Sequence, residues 1–216
     1  MLNDLRLAVR TLLKTPFVTA VAVVSLALGI GANTAIFSLF DRRLLGPLPG
    51  PDAAALVNLG APGPKPGSNN CGQAGECDSV FSYPMFRDLE RGQSVFTGIA
   101  AHQLFSVNLA ARGQTLTADG LLVSGSYFPT LALQPALGRL LTPADDTTPG
   151  GHALVVLSHE FWTSHFGATP DVLGEVLKVN GQSFTVVGVA PRGFDGTTLG
   201  ARPRVFVPVT MRAVVV

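Results

Sequence analysis

From Phe17 to Phe40 the chain reads FVTAVAVVSLALGIGANTAIFSLF, without one Asp, Glu, Lys, Arg, His or Gln. A helix buried in a soluble domain is one reading of such a run, but the absence of any polar stripe favours a membrane span. At about 1.5 Å per residue the helix would reach roughly 36 Å, enough for a hydrocarbon core of ~30 Å. Upstream, Arg6, Arg10 and Lys14 recur every fourth residue, with Leu2, Leu5, Val9, Leu12 and Leu13 on the other side. That spacing predicts an amphipathic entry helix over residues 1–15, lying on membrane lipid. Pro16 separates it from the span at 16–40, because proline lacks an N–H and disfavours helix in the residue before it. Three basic residues before the span, against Arg42 and Arg43 after it, place the N-terminus in the cytoplasm and the remainder outside. A leader cleaved after Gly31 competes with this reading, but the apolar character continues through Phe40 and favours a retained anchor. Ala27, Gly31 and Ala35 fall at i, i+4 and i+8, a smooth stripe against which a second membrane helix can pack, with Asn33 and Thr34 near its outer end.

Residues 41–216 alternate differently. Gly46 to Asn70 is rich in Pro and Gly and reads as connector and loop, interrupted by a short strand at Ala54 to Leu59. Ser82-Tyr83-Pro84 opens a helix that Gly92 ends. Leu104 to Leu109 and Leu116 to Val123, joined at Arg112-Gly113-Gln114, predict a hairpin. Ser124 or Ser126 then caps a turn of helix carrying Tyr127, Phe128 and Leu131. ALVVL from Ala153 is too short for a helix and reads as a buried strand; Ser158 caps a helix that Gly167 stops. Val176 to Val179 and Ser183 to Val189, joined by Asn180-Gly181, form the strongest hairpin signal, since Asn-Gly suits both left-handed positions of a type I′ turn. Arg204 to Val209 adds a strand. The pattern is α+β: one N-terminal transmembrane helix followed by a mixed-sheet extracytoplasmic domain.

Composition sharpens this picture. Of 216 residues only 13% are charged, about half the usual ~25%, consistent with a segment removed from water. The net charge of +1 lacks the basic surplus a nucleic-acid-binding module needs. Cys71 and Cys77 are the only cysteines, a poor zinc spacing without a second pair; outside the cytoplasm they read most simply as a local disulfide. His159-Glu160 begins like a zinc-protease helix, but position 163 is Thr163. Asp145 and Asp146 sit in a Thr/Pro/Gly loop and read as a solvated turn. No lysine follows a phosphate-cradling loop, and no Ser stands in a nucleophile elbow. Nothing here marks an enzyme, a metal site or a cofactor.

LALGIGANTAIFSLF at Leu26 to Phe40, then LLGPLPG, FSYPMFRDL, VSGSYFPTLALQPALGRLLTPADD, VVLSHEFW and VNGQSFTVVGVAPRGF, in this order, resemble the MacB-like permeases of ABC-type exporters over nearly the whole chain. The stretch corresponds to their N-terminal membrane helix and periplasmic core domain. The resemblance implies a permease subunit of the inner membrane, a separate ATPase subunit that hydrolyses ATP, a homodimer, and in some members a periplasmic adaptor. It implies that the periplasmic domain transmits motion from the membrane helices. The family continues into further permease helices, so the expectation is a shortened permease. An anchored extracytoplasmic binding module without transport activity is the competing reading.

Overall fold

The computed structural model describes residue 14 and residues 16–40, 55–60, 80–198 and 200–216. The chain divides into two units, Met1–Gly46 and Pro47–Val216. Besides Lys14, the described part of the first is helix α1 (Pro16–Phe40), 25 residues long. At 1.5 Å per residue it extends about 37 Å. Its apolar side chains have no core of their own: Phe17, Leu28 and Ile36 are 80%, 68% and 63% exposed.

The first α-helix described in the second unit is α2 (Tyr83–Gly92), as the sequence predicts. Ser82 caps it, its Oγ accepting the Met85 N–H at 3.4 Å, and Pro84 lies in the first turn. Phe86 is the side chain it buries. The predicted strand at Ala54 to Leu59 does not form among the described residues 55–60.

Strands β1 (His102–Ala111) and β2 (Gln114–Val123) pair antiparallel along their full length through Arg112-Gly113, whose φ angles are 50° and 76°. A short helix α3 (Tyr127–Thr130) and a two-residue strand β3 (Leu137–Gly138) follow. Neither predicted serine caps α3 with its side chain. Ser124 Oγ instead accepts the Ala101 N–H at 3.0 Å, and the Ser124 carbonyl accepts the Tyr127 N–H at 2.9 Å. Strand β4 (Leu154–Leu157), helix α4 (His159–Phe166) and the hairpin β5 (Val176–Val179) and β6 (Gln182–Val189) fall where the sequence places them. Strand β7 (Val205–Pro208) leads into a 3-10 turn and the short helix α5 (Arg212–Val215).

The sheet is mixed: β2–β7 and β4–β6 are parallel, and the other pairs antiparallel. Read in the order β6-β4-β7-β2-β1-β5, the strands return to β6, so every strand but β3 belongs to a closed ring. Closure disposes of sheet edges that would otherwise be open to pairing with another chain. Period-two alternation sorts the side chains into two cores. Leu122, Val155, Leu157, Val205 and Val207 join one cluster, whereas Leu121, Val123, Val156 and Phe206 join the other with Tyr127, Phe128 and Phe194. Strands β4 and β7 are therefore apolar on both sides, which is why ALVVL carries no polar alternation.

Candidate functional site

In α1, Ala27, Gly31 and Ala35 are exposed, and a Cβ added at Gly31 would meet nothing within 4 Å. Thr34 is already satisfied within its helix, its hydroxyl donating to the Ile30 carbonyl at 2.8 Å. Lys14 is exposed; Arg6 and Arg10 lie outside the described residues, as do Cys71 and Cys77 and the cysteine pairing expected of them.

The domain's main polar constellation lies where a solvated turn was expected. Asp145 and Asp146 are 7% and 1% exposed, which overturns that expectation. Asp145 receives a bidentate Arg139 guanidinium, Nη1 to Oδ2 at 2.6 Å and Nη2 to Oδ1 at 2.8 Å. It also accepts the Thr142 N–H and hydroxyl, each at 2.9 Å. Burial alone would raise its pKa, but the Arg139 and Thr142 hydrogen bonds outweigh that penalty and hold the carboxyl below its ordinary value. Asp146 turns the other way: Oδ2 accepts the Gly125 N–H at 3.0 Å and Oδ1 the Thr210 N–H at 3.1 Å. The approach is close, since a Cβ on Gly125 would stand 2.6 Å from Pro143 Cα and from the Thr142 carbonyl oxygen. These carboxylates fasten three chain segments together: Asp145 accepts four hydrogen bonds, and Asp146 accepts one on each oxygen. Thr142 three residues before Asp145 was the signal for the first of them, a turn-opening pair of the capping type. No comparable signal marks Gly125 or Thr210 as partners of Asp146.

Tyr127 Oη lies 2.9 Å from Thr197 Oγ1, and burial pushes its pKa up to about 12, so the phenol stays protonated. His165 stacks on the Phe161 ring, centroids 5.1 Å apart, and His159 meets the Trp162 ring edge-on. Among the described residues no group of three or more His, Cys, Asp or Glu side chains is placed to hold a metal. An open groove of about 700 Å³ runs along α2, lined by Leu59, Phe81, Met85, Leu89, Phe96 and Ile99 with Asp88 at its edge. Beside it Val95 is 85% exposed.

The chain thus combines an apolar N-terminal helix with a mixed-sheet α+β domain whose buried charges brace the chain. The chain belongs to the MacB-like periplasmic core domain family, which matches residues 19–215. Among solved structures, it is similar to the extracellular domain of the noncanonic ABC-type transporter YknZ from Gram-positive bacteria: 20% identity, 62% of this chain, 65% of that one and a TM-score of 0.51. It is also similar to the periplasmic region of MacB from Actinobacillus actinomycetemcomitans: 23% identity, 58% of this chain, 53% of that one and a TM-score of 0.48. The chain thus spans between about half and two thirds of the length of these two structures. At such identities the likeness is one of fold. No curated protein matches the chain.

Proposed function

We propose that this chain supplies the N-terminal membrane helix and periplasmic core domain of an ABC-type export permease in the inner membrane. Residues 1–15 lie on the cytoplasmic leaflet, residues 16–40 span the bilayer and residues 41–216 form the periplasmic part. The observation that carries the reading is the family match, which begins at residue 19 inside the apolar helix and runs to residue 215 in the last helix of the domain. Arg6, Arg10 and Lys14 hold the entry helix at anionic lipid. Ala27, Gly31 and Ala35 give another span a surface for close approach, in a homodimer or against further helices. A separate ATPase subunit supplies the energy, and the periplasmic domain transmits the resulting motion. The Cys71–Cys77 bridge closes a short loop in the oxidising compartment.

Co-expression with the ATPase subunit of a MacB-like ABC-type exporter tests this. Purification of the chain in detergent should bring the ATPase down, and replacing α1 by an unrelated 25-residue span should lose it. A chain that purifies without the ATPase, and a phosphatase fusion at Val216 that is inactive, would each contradict the reading. The groove along α2 is the feature that favours the alternative, an anchored periplasmic binding module. That alternative gains if the domain acts as a monomer with no ATPase bound.

A further inference from the structure

After β7 the chain turns through Val209–Met211 into α5, and this strap is held by a small set of ties. The Thr210 N–H donates to Asp146 Oδ1 at 3.1 Å, and the Thr210 carbonyl accepts the Gly150 N–H at 3.0 Å. At the far end, Asn180 Nδ2 donates to the Val215 carbonyl at 2.6 Å. Asn180 occupies the β5–β6 turn with φ 48°, and its own Oδ1 accepts the Asn108 N–H of β1 at 2.7 Å. One side chain thus joins the turn, the ring and the strap, and Asp146 does the same for Gly125, its own turn and the strap. Between the two ties Met211 and Val215, 2% and 4% exposed, enter the core cluster shared with Leu109, Val179 and Val207. Arg212, Ala213 and Val214 between them face solvent.

The docked strap also carries a defect. Thr210 is 6% exposed, and its Oγ1 is buried with no hydrogen-bond partner among the described residues. A buried hydroxyl without a partner loses its water and gains nothing in return, so docking works against a penalty that undocking removes. The ring has no such weakness beside it: β7 is buried along its whole length and paired to both β2 and β4.

From these contacts we propose that residues 209–215 are a latched strap that leaves the domain as a unit while the ring stays folded. Asp146 and Asn180 are its two latches, and the Thr210 hydroxyl sets how readily it opens. Release uncovers the Met211 and Val215 face and the core beneath it, giving the domain two forms, strap docked and strap free. The inference rests on the domain's own contacts and stands whether or not the chain serves a transporter.

Hydrogen exchange read by mass spectrometry on the full chain in detergent tests it, because local opening shows as exchange of one segment ahead of the rest. Amides of 210–216 should exchange well before those of β2 and β7. Thr210→Val, close in shape without the hydroxyl, should slow exchange of the strap by roughly tenfold and leave the ring unchanged. Asn180→Gly keeps the turn and removes the latch; it should speed strap exchange by roughly three- to tenfold, again without change in β2 and β7. Thr117→Ala, which removes the partner of Asn108 Oδ1 and leaves the latch in place, should have no effect on the strap. Strap and ring amides exchanging together in the natural chain would overturn the proposal, and so would Thr210→Val leaving strap exchange unchanged or faster.

Discussion

Valine meets opposite fates in the two units of this chain. In α1, Val18, Val21, Val23 and Val24 are 65%, 52%, 58% and 56% exposed, whereas Val155 and Val156 of β4 are 0% exposed. The residue type is the same, so the difference lies in what surrounds it. The domain solves the problem of apolar surface internally, by closing a sheet into a ring and packing a second cluster outside it. The helix has no polar face and buries none of these valines, so in the proposed membrane setting lipid does for it what β6 and β7 do for β4. Hydrophobic content alone therefore does not distinguish a core from a span; the geometry of the polar residues around it does.

The largest effect that sharpens this contrast is a cavity. Phe206→Ala removes a fully buried ring that contacts Phe128 and Phe194 and should cost the domain ~3–5 kcal/mol, read by denaturant titration of Trp162 fluorescence. Phe37→Ala in α1, where the ring is 69% exposed, should leave that midpoint within ~0.5 kcal/mol. Equal losses at the two sites would erase the distinction between the units. Next is Gly31→Arg, which sets a charge deep in the apolar helix at ~2.5–3.5 kcal/mol on insertion scales. Membrane yield should collapse while the domain's unfolding midpoint is kept; unchanged yield argues against a span.

A smaller effect belongs to the buried carboxylates. Arg139 is half exposed, so solvent screens its pair with Asp145, and Arg139→Leu should cost only about 1 kcal/mol at neutral pH. Because the folded-state pKa of Asp145 is lowered below its ordinary 3.8, the stabilisation is complete above that value and fades as pH falls through the lower folded one. Unfolding curves of the two proteins should therefore converge in strong acid; a difference that persists there contradicts the ion pair as its source. Smallest is Ala27→Leu, which roughens the stripe and should weaken helix–helix association, measured by energy transfer between labelled chains in vesicles.

Local chemistry made much of this fold legible. Asn180-Gly181 and Arg112-Gly113 fix two hairpins within a residue, Ser82 and Ser158 mark two helix starts, and the uninterrupted apolar run marks α1. What escaped depends on distant partners. Ring closure needs β1 to meet β5 at Leu109 and Ala110, a contact no local pattern encodes. Asp146 reads as solvated beside Thr, Pro and Gly, and it is buried only because Gly125 and Thr210, 21 and 64 residues away, bring their N–H groups to it. Ala54 to Leu59 shows the reverse failure: it is an apolar stretch of strand length, yet its described residues, 55–59, pair with no strand among the described residues. For the site, the ties that Asn180 and Asp146 make to residues 209–215 were not legible in sequence, since Asn180 looks like turn chemistry and nothing more.

The central claim is that α1 remains in the bilayer as part of the mature chain while the ring folds outside it. Intact-mass spectrometry of the protein recovered from carbonate-washed membranes tests this most directly. The account predicts that the chain stays with the membrane pellet at a mass that includes residues 1–40. Recovery in the soluble fraction, or a mass lacking the first thirty-one residues, would contradict it.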